Sequence, residues 1–502
     1  MRLIHFWRVM NIGKFSKKFL IAGISLLIFS CGKQRPVPNV IFIAVDDLRT
    51  ELGVYGNPQV HSPNMDAIAK QGSYFTHHYV QVPTCGASRY ALLTGLRPSL
   101  PVHLTNAAIS SELSEKPETD KPETFIHKLK MEGYHTIGIG KISHSADGLL
   151  YGYEEAVSQK KELPYSWDEL VFNAGKWMTG WNAFFGYANG ENRQSLKKQV
   201  TPYEKGDVDD KGYPDGLTTE LAIDKLRELK QQKKPFFMGI GFFKPHLPFN
   251  APKKYWELYN RDDIDTSPNP YIPQQINQQS LHGSGEFNQY ALGDEMAGIS
   301  EPVSEAYARK LRHAYYASIS YIDAQIGLLR KELKQLELDK NTIIVIWGDH
   351  GWHLGDQQIW GKHTLFENAL KSPLIIYSPY EAHQNKKIES VVETVDIYPT
   401  ILELCGIRQE EQLDGASLKP LLQTKNLATD ALAYSYFKQG ISLRTPGYRL
   451  TKYYRKELPD IELYDHTKDS VESKNVANEL PEVVKELMPL LENGNTGLYE
   501  VK

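Results

Sequence analysis

Five short apolar runs constrain this chain more than any other feature: residues 39–45, 136–140, 235–242, 341–347 and 372–377. Runs of this length suit strands buried on both faces, as in a parallel sheet covered by helices. Four of them lead straight into side chains with chemistry: Asp46 and Asp47, Lys141 and His144, Lys244 and His246, and Asp349 and His350. In open α/β sheets ligands bind outside the carboxyl ends of the strands, so these residues are expected along one sheet edge. Adjacent carboxylates repel and gain most from a shared cation, and a hard divalent ion takes oxygen ligands of this kind. Asp349 supplies a further carboxylate where the first pair needs one. The alternative for Asp46 or Asp47 is a helix cap. Lys141 and His144, three residues apart at a strand end, can reach one anionic centre, a solvated surface lysine being the plain alternative. Pro245 and Pro248 stiffen the loop that carries His246.

Between the first two runs lies Cys85-Gly86-Ala87-Ser88-Arg89-Tyr90-Ala91-Leu92-Leu93-Thr94-Gly95. Its apolar positions place a helix start near Ala87, which sets Cys85 close to a helix N-terminus where backbone donors and the dipole favour an anion. A buried structural cysteine is the competing reading. With Cys31 and Cys405 the chain has three cysteines, too few for a disulfide framework in 502 residues. Cys405 closes an apolar run at a glycine and reads as a structural thiol. Residues 1–30 combine basic residues with an apolar run over 19–29 too short for a comfortable membrane span, which is the shape of a signal peptide. The run closes on Ile28-Phe29-Ser30-Cys31, which resembles a bacterial lipobox with Cys31 lipidated. An ordinary cleavable signal or an anchor helix is the alternative.

A chain of this length exceeds what one core supports, so a large domain with a smaller one is expected. We place a linker at 31–38, an α/β domain at 39–425 and an antiparallel α+β subdomain at 426–502, where the pattern changes to short alternating strands. Ser62 reads as an N-cap before Pro63. Residues 99–123 read as a surface excursion, and the aromatic, glycine-rich stretch 145–216 as loops that wall a pocket. Residues 260–300 carry no defensible chemistry. A formal net charge of -4 gives no electrostatic case for a nucleic-acid partner.

The Cys85 stretch reads Cys-x-Ala-Ser-Arg, four residues, then Thr-Gly, and resembles the signature of the type I sulfatases. Val45-Asp46-Asp47-Leu48-Arg49, Gly140-Lys141 with His144, Lys244-Pro245-His246-Leu247-Pro248-Phe249, Gly348-Asp349-His350-Gly351-Trp352 and Lys362 come in the order found in the iduronate 2-sulfatase-like branch. The resemblance implies an alkaline-phosphatase-like α/β fold with a large, mostly parallel sheet flanked by helices and a smaller C-terminal α+β subdomain. It implies that Cys85 is oxidised to formylglycine, whose hydrate offers one hydroxyl as nucleophile and a second to drive release. It implies one calcium ion on Asp46, Asp47, Asp349 and His350, in contact with residue 85. Arg89 and Lys141 would then hold the formylglycine oxygens, with His144 as proton acceptor. His246 and Lys362 would bind sulfate, and His246 would protonate the leaving oxygen.

His350 departs from the asparagine of many sulfatases, and nitrogen is not the ligand calcium usually selects. Ala87 stands where the aerobic oxidase route prefers proline, whereas the anaerobic radical maturases accept alanine. The implied partners are a sulfated oligosaccharide, a formylglycine-generating maturase and a membrane reached only through the lipid on Cys31, in the periplasm or cell envelope. The expected activity is exo-acting removal of sulfate from a 2-O-sulfated uronic acid. Its alternatives are another sulfated polysaccharide, phosphonate or phosphodiester hydrolysis, and glycan binding without turnover. A uronate carboxylate requires a cation, for which Arg444 or Arg449 is expected, a basic strand edge being the alternative.

Overall fold

The computed structural model describes residues 36–116, 121–299, 301–381, 386–424 and 431–500. The signal segment with Cys31, and the expected boundary at 425/426, lie outside the described residues. Every element below belongs to the compact unit Val37–Lys502.

The five apolar runs become strands of one sheet of eight: β1 (Asn39–Val45), β2 (Ser73–Tyr79), β3 (His135–Gly140), β4 (Glu169–Val171), β5 (Phe236–Phe242), β6 (Thr342–Gly348), β7 (Leu374–Tyr377) and β8 (Lys386–Glu393). Their order is β8-β2-β7-β6-β1-β5-β3-β4. From β6 to β4 all neighbours are parallel. The fifth run, β7, is antiparallel to both its neighbours. Apolar length reports burial on two faces and says nothing of direction, so this reversal was not readable from the run itself. The half-exposed β2 and β8 pair with each other in parallel and have no uniform apolar run to announce them.

Alternation along β1 supplies two cores. Ile41, Ile43 and Val45 face one side with α1 (Pro63–Gln71), α4 (Pro214–Gln232) and α5 (Glu305–Gln335). Val40, Phe42 and Ala44 face the other with α2 (Cys85–Thr94), α3 (Phe125–Met131) and α6 (Ile397–Cys405). Each fully buried aliphatic or aromatic side chain contributes about 1.5–3 kcal/mol. Pro63 opens α1 as expected, but the Ser62 hydroxyl does not cap it; it accepts from Gly53 N and donates to Asp66. Cys405 ends α6 half-buried, with its thiol pushed up by burial to about 12, consistent with a structural role. No helix among the described residues is long and apolar enough to cross a membrane.

Register decides where the site lies. Val45 pairs with Phe242 on one side and Gly348 on the other, so Asp46 and Asp349 leave the sheet together. Gly140, at φ +70°, turns the chain out at the same level, where a Cβ would sit 2.4 Å from Gly241 O.

The C-terminal sheet is a meander of β9 (Ala433–Phe437), β10 (Gly440–Arg444), β11 (Tyr448–Tyr453) and β12 (Ile461–Asp465), covered by α7 (Pro481–Asn493). Here one expectation fails. Arg444 and Arg449 do not face a substrate pocket; both are buried and bind Glu367, and Arg449 also reaches Glu472 at 2.7 Å. Strand alternation turns both arginines toward the short helix Glu367–Leu370, where burial leaves them committed to carboxylates.

Removing one partner of a buried ion network costs about 3–5 kcal/mol. Arg449→Ala should therefore lower the urea midpoint accordingly, and reduce activity on every substrate alike, in proportion to the folded fraction. A shift in substrate preference with stability intact would contradict this assignment.

Candidate active site

Helix α2 begins at Cys85 itself, slightly earlier than the expected start near Ala87. All of its residues are buried, which fixes the cysteine at the helix N-terminus. Gly86 lies against Asn106, whose side-chain carbonyl accepts the Gly86 N–H at 2.9 Å. One turn on, Arg89 bridges two strand ends: it meets Asp349 Oδ2 at 3.0 Å and Asp46 Oδ1 at 3.2 Å, and also donates to the carbonyls of Lys141 and Ile142. Ser88 donates to Asp349 O. Lys141 Nζ lies 2.6 Å from Asp46 Oδ2. Lys362 Nζ stands 2.8 Å from Asp47 Oδ1 and 3.3 Å from Cys85 Sγ, which is itself 3.2 Å from His350 Nε2.

Asp46, Asp47, Asp349, His350, His246 and Cys85 are all buried, and two overlapping sets of four ligand atoms lie within 4.8 Å of one another. Burial raises Asp46, but Lys141, His246 and Arg89 hold it well below the usual carboxylate range. Asp47 goes the other way: burial, with Asp46 and Cys85 adding to it, raises it against Lys362 and His350. Burial and Asp46 likewise raise Asp349. Asp47 Oδ2 is buried without a hydrogen-bond partner. The His350 Nδ1 lies 2.9 Å from Gly351 O, and a carbonyl only accepts, so Nδ1 carries the proton and Nε2 turns its lone pair to the cluster. An orphaned carboxylate oxygen, carboxylates short of positive charge and an imidazole in the ligating tautomer fit a divalent cation.

Above Cys85 opens a cavity of about 610 Å³ whose lining includes Lys141, His144, His246 and Lys362. Every side chain expected at the site is therefore here except the substrate arginines. Lys244 belongs to the same motif as His246 but turns away, donating to the carbonyls of His246 and Pro248 at 2.8 and 2.7 Å and holding that loop. Burial and Lys141 push His144 well below the ordinary imidazole value, and its Nδ1 has no partner. His246 Nδ1 lies 2.6 Å from Leu247 O, while Nε2 is 3.0 Å from Glu286 Oε1. With Nδ1–H directed to a carbonyl, Nε2 is the nitrogen turned to the site; burial and Lys362 push this imidazole down to about 4, against the pull of Glu286.

Glu286 also sits 3.4 Å from Lys362, and with His282 and Gln289 it comes from the stretch 260–300 in which no chemistry was expected. A lone glutamate in a loop carries no spacing signal. The stretch 145–216 does wall the cavity, through Tyr153, Trp181, Phe184, Phe185 and Arg193. The C-terminal sheet reaches it by Phe437 and Lys438, at the turn between β9 and β10.

Protons compete with a cation for these carboxylates, so a bound divalent ion should dissociate as pH falls. Elemental analysis after dialysis should find about one equivalent near neutrality, less on acidification, and at least about tenfold less in Asp47→Ala and Asp349→Ala. Full metal content in both variants would overturn the ligand assignment.

The sulfatase family profile matches residues 38–407, and that of the N-sulphoglucosamine sulphohydrolase C-terminal region matches residues 348–495. A sulfatase of Formosa agariphila is 30% identical over 492 residues, covering 94% of this chain and 92% of that protein. Human iduronate 2-sulfatase is 30% identical over 397 residues, 74% of this chain and 69% of its own. Among solved structures, one of BT4656 in complex with its substrate D-glucosamine-2-N,6-O-disulfate superposes with a TM-score of 0.66 at 22% identity, over 92% of this chain and 98% of that one. The large sheet with flanking helices and the C-terminal sheet are thus the alkaline-phosphatase-like sulfatase fold. A matching profile over most of the chain, and relatives that span it, join the Cys85 helix and its carboxylates to one conclusion: the chain belongs to the sulfatase family, in the type I, iduronate 2-sulfatase-like branch.

Proposed function

We propose that this protein is a formylglycine-dependent, calcium-binding sulfatase that removes sulfate from a terminal 2-O-sulfated uronic acid of a sulfated saccharide. The carrying observation is the convergence on Cys85 Sγ of His350 at 3.2 Å and Lys362 at 3.3 Å, beneath a cavity of about 610 Å³. Burial pushes the Cys85 thiol up to about 12, which makes it a poor thiolate nucleophile and favours its reading as a precursor. Asp46, Asp47, Asp349 and His350 are the residues to hold the ion. When bound, such an ion polarises a sulfate oxygen as a Lewis acid, worth several kcal/mol.

The chain's own groups divide the remaining work. Arg89 and Lys141 position residue 85, each anchored on Asp46. His144, kept neutral by burial and Lys141, is suited to accept a proton from it. Lys362 stays charged because Asp47, Cys85, Glu286 and Asp46 together outweigh the cost of burial, and it takes a sulfate oxygen. His246 is assigned as the acid for the leaving oxygen through Nε2, and Glu286, 3.0 Å away, favours its protonated form against burial. The aromatic wall of Tyr153, Trp181, Phe184 and Phe185 suits the apolar face of a sugar ring. Similarity to iduronate 2-sulfatases over about three-quarters of the chain supports the uronate. We also read Cys31 as the lipid anchor that holds the enzyme in a bacterial periplasm or cell envelope, supported by the basic and apolar residues before it.

Co-expressed with an anaerobic radical maturase, the chain should show Cys85 converted to formylglycine by peptide mass spectrometry. It should release sulfate from 2-O-sulfated uronate disaccharides faster than from other sulfated disaccharides, and Cys85→Ala should lose at least about a thousandfold in kcat while staying folded. Retained activity in that variant would end the proposal. Faster turnover of aryl phosphonates would point to phosphonate hydrolysis, and saccharide binding by an unconverted chain to a lectin-like role. Cys31→Ala should move the protein from the membrane to the soluble fraction, and an unchanged distribution would remove the lipid anchor.

A further inference from the structure

Five arginines among the described residues are buried: Arg89, Arg193, Arg312, Arg444 and Arg449. Four pair with carboxylates. Arg193, only 4% exposed, forms no ion pair with any described residue. Its Nε donates to Gln194 Oε1 at 3.0 Å, and its guanidinium lies 3.7 Å above the Phe185 ring and 5.4 Å from that of Tyr290. The backbone around it is fixed: its N–H donates to Phe185 O at 3.2 Å, and Lys198 N donates to its carbonyl at 2.8 Å.

A guanidinium stays charged at any working pH, so burial without a carboxylate is costly, and contact with an aromatic ring offsets only part of that cost. Arg193 borders the cavity, and stacking on Phe185 holds its planar fork rigid. Its hydrogen bond and ring contacts involve none of the residues around Cys85, which have their own cations in Lys141, Lys362 and Arg89. The cavity thus has one set of cations at its floor, Lys438 at its rim, and on its aromatic wall a buried one that no described carboxylate holds.

We propose that Arg193 is a specificity residue that anchors a second oxyanion of the substrate saccharide, while Lys362 and His246 hold the sulfate to be removed. Resting on the sulfated-saccharide reading above, it replaces Arg444 and Arg449 as the cation for a group that the reaction leaves intact. Carboxylate and sulfate both offer two oxygens to the guanidinium fork, so a uronate carboxylate and a second sulfate are the two sources of that group.

The test uses saccharide pairs that differ by one charge. One pair is a 2-O-sulfated uronate disaccharide and its carboxyl-reduced form; the other is N-sulfated glucosamine 6-O-sulfate and its N-acetylated counterpart. Each is run as substrate, and as competitor of aryl sulfate hydrolysis, with the matured enzyme. Each is also run as a calorimetric ligand of the unmatured chain, so that the result does not depend on turnover. The native protein should prefer the more charged member of one pair by at least about tenfold, as one charge-assisted contact provides. That preference should fall to within about threefold in Arg193→Ala and Arg193→Gln and be partly kept in Arg193→Lys, while aryl sulfate efficiency falls far less. A general packing defect would lower both members equally. Loss confined to the uronate pair identifies a carboxylate, and loss confined to the amino sugar pair identifies a second sulfate. In the second case the uronate reading falls and the role of Arg193 stands. Absence of any charge preference in the native protein, or its survival in both neutral variants, would overturn the proposal without touching sulfate hydrolysis.

Discussion

The mutual repulsion of three buried carboxylates, brought together by strand register, is the constraint on which the site depends. Val45 lies opposite both Phe242 and Gly348, so the parallel sheet delivers Asp46, Asp47 and Asp349 to one point and buries them there. At the separations seen here such charges would destabilise the fold if left alone. The chain answers with Arg89, Lys141 and Lys362, each bonded to one or more of the three. The compensation is uneven. Asp46 is held low, whereas Asp47 and Asp349 are raised and Asp47 Oδ2 has no partner. That residual demand for positive charge is what a divalent ion meets, and the same cations that neutralise the carboxylates face Cys85.

The cavity above this cluster is built from segments with little regular structure, and that division of labour comes from their physics. Strand ends are held by the ladder and can place charges to within fractions of an ångström, as the catalytic floor requires. Loops can vary in shape while keeping an aromatic surface, as a sugar-binding wall requires. Phe185 serves twice, as part of that wall and as the plate on which Arg193 lies.

The C-terminal sheet meets the main sheet through charges as well as apolar contact. Glu367 accepts from Tyr79, Arg444 and Arg449, and Glu472 from Arg449 and the Glu367 N–H. A network this fully satisfied specifies one docking geometry, because any shift leaves a buried charge unpaired. Docked in this way, the turn at Phe437 and Lys438 reaches the cavity rim. Arg444 and Arg449 thus serve the substrate pocket by holding the sheet that completes it.

Local patterns were legible without coordinates. Apolar runs of strand length announced β1, β3, β5, β6 and β7, the charged residues after them announced the sheet edge, and the Cys85 motif announced a helix starting near Ala87, two residues after its actual start. These signals need only near neighbours: whether a segment buries both faces, and which side chains come directly after it, is written in consecutive residues. The direction of β7 and the existence of β2 and β8 were not legible, since pairing partners lie far along the chain. The fate of individual charges was decided by tertiary structure alone. Arg193, Arg444 and Arg449 look alike in sequence, as do Lys244 and Lys362. Yet Arg444 and Arg449 find Glu367, Lys244 finds two carbonyls, Lys362 finds Asp47 and Cys85, and Arg193 finds an aromatic ring beside open space. A buried charge takes its free energy from the groups within a few ångströms of it, and only the fold settles whether that group is a carbonyl two residues on, as for Lys244, or a carboxylate 315 residues away, as for Lys362.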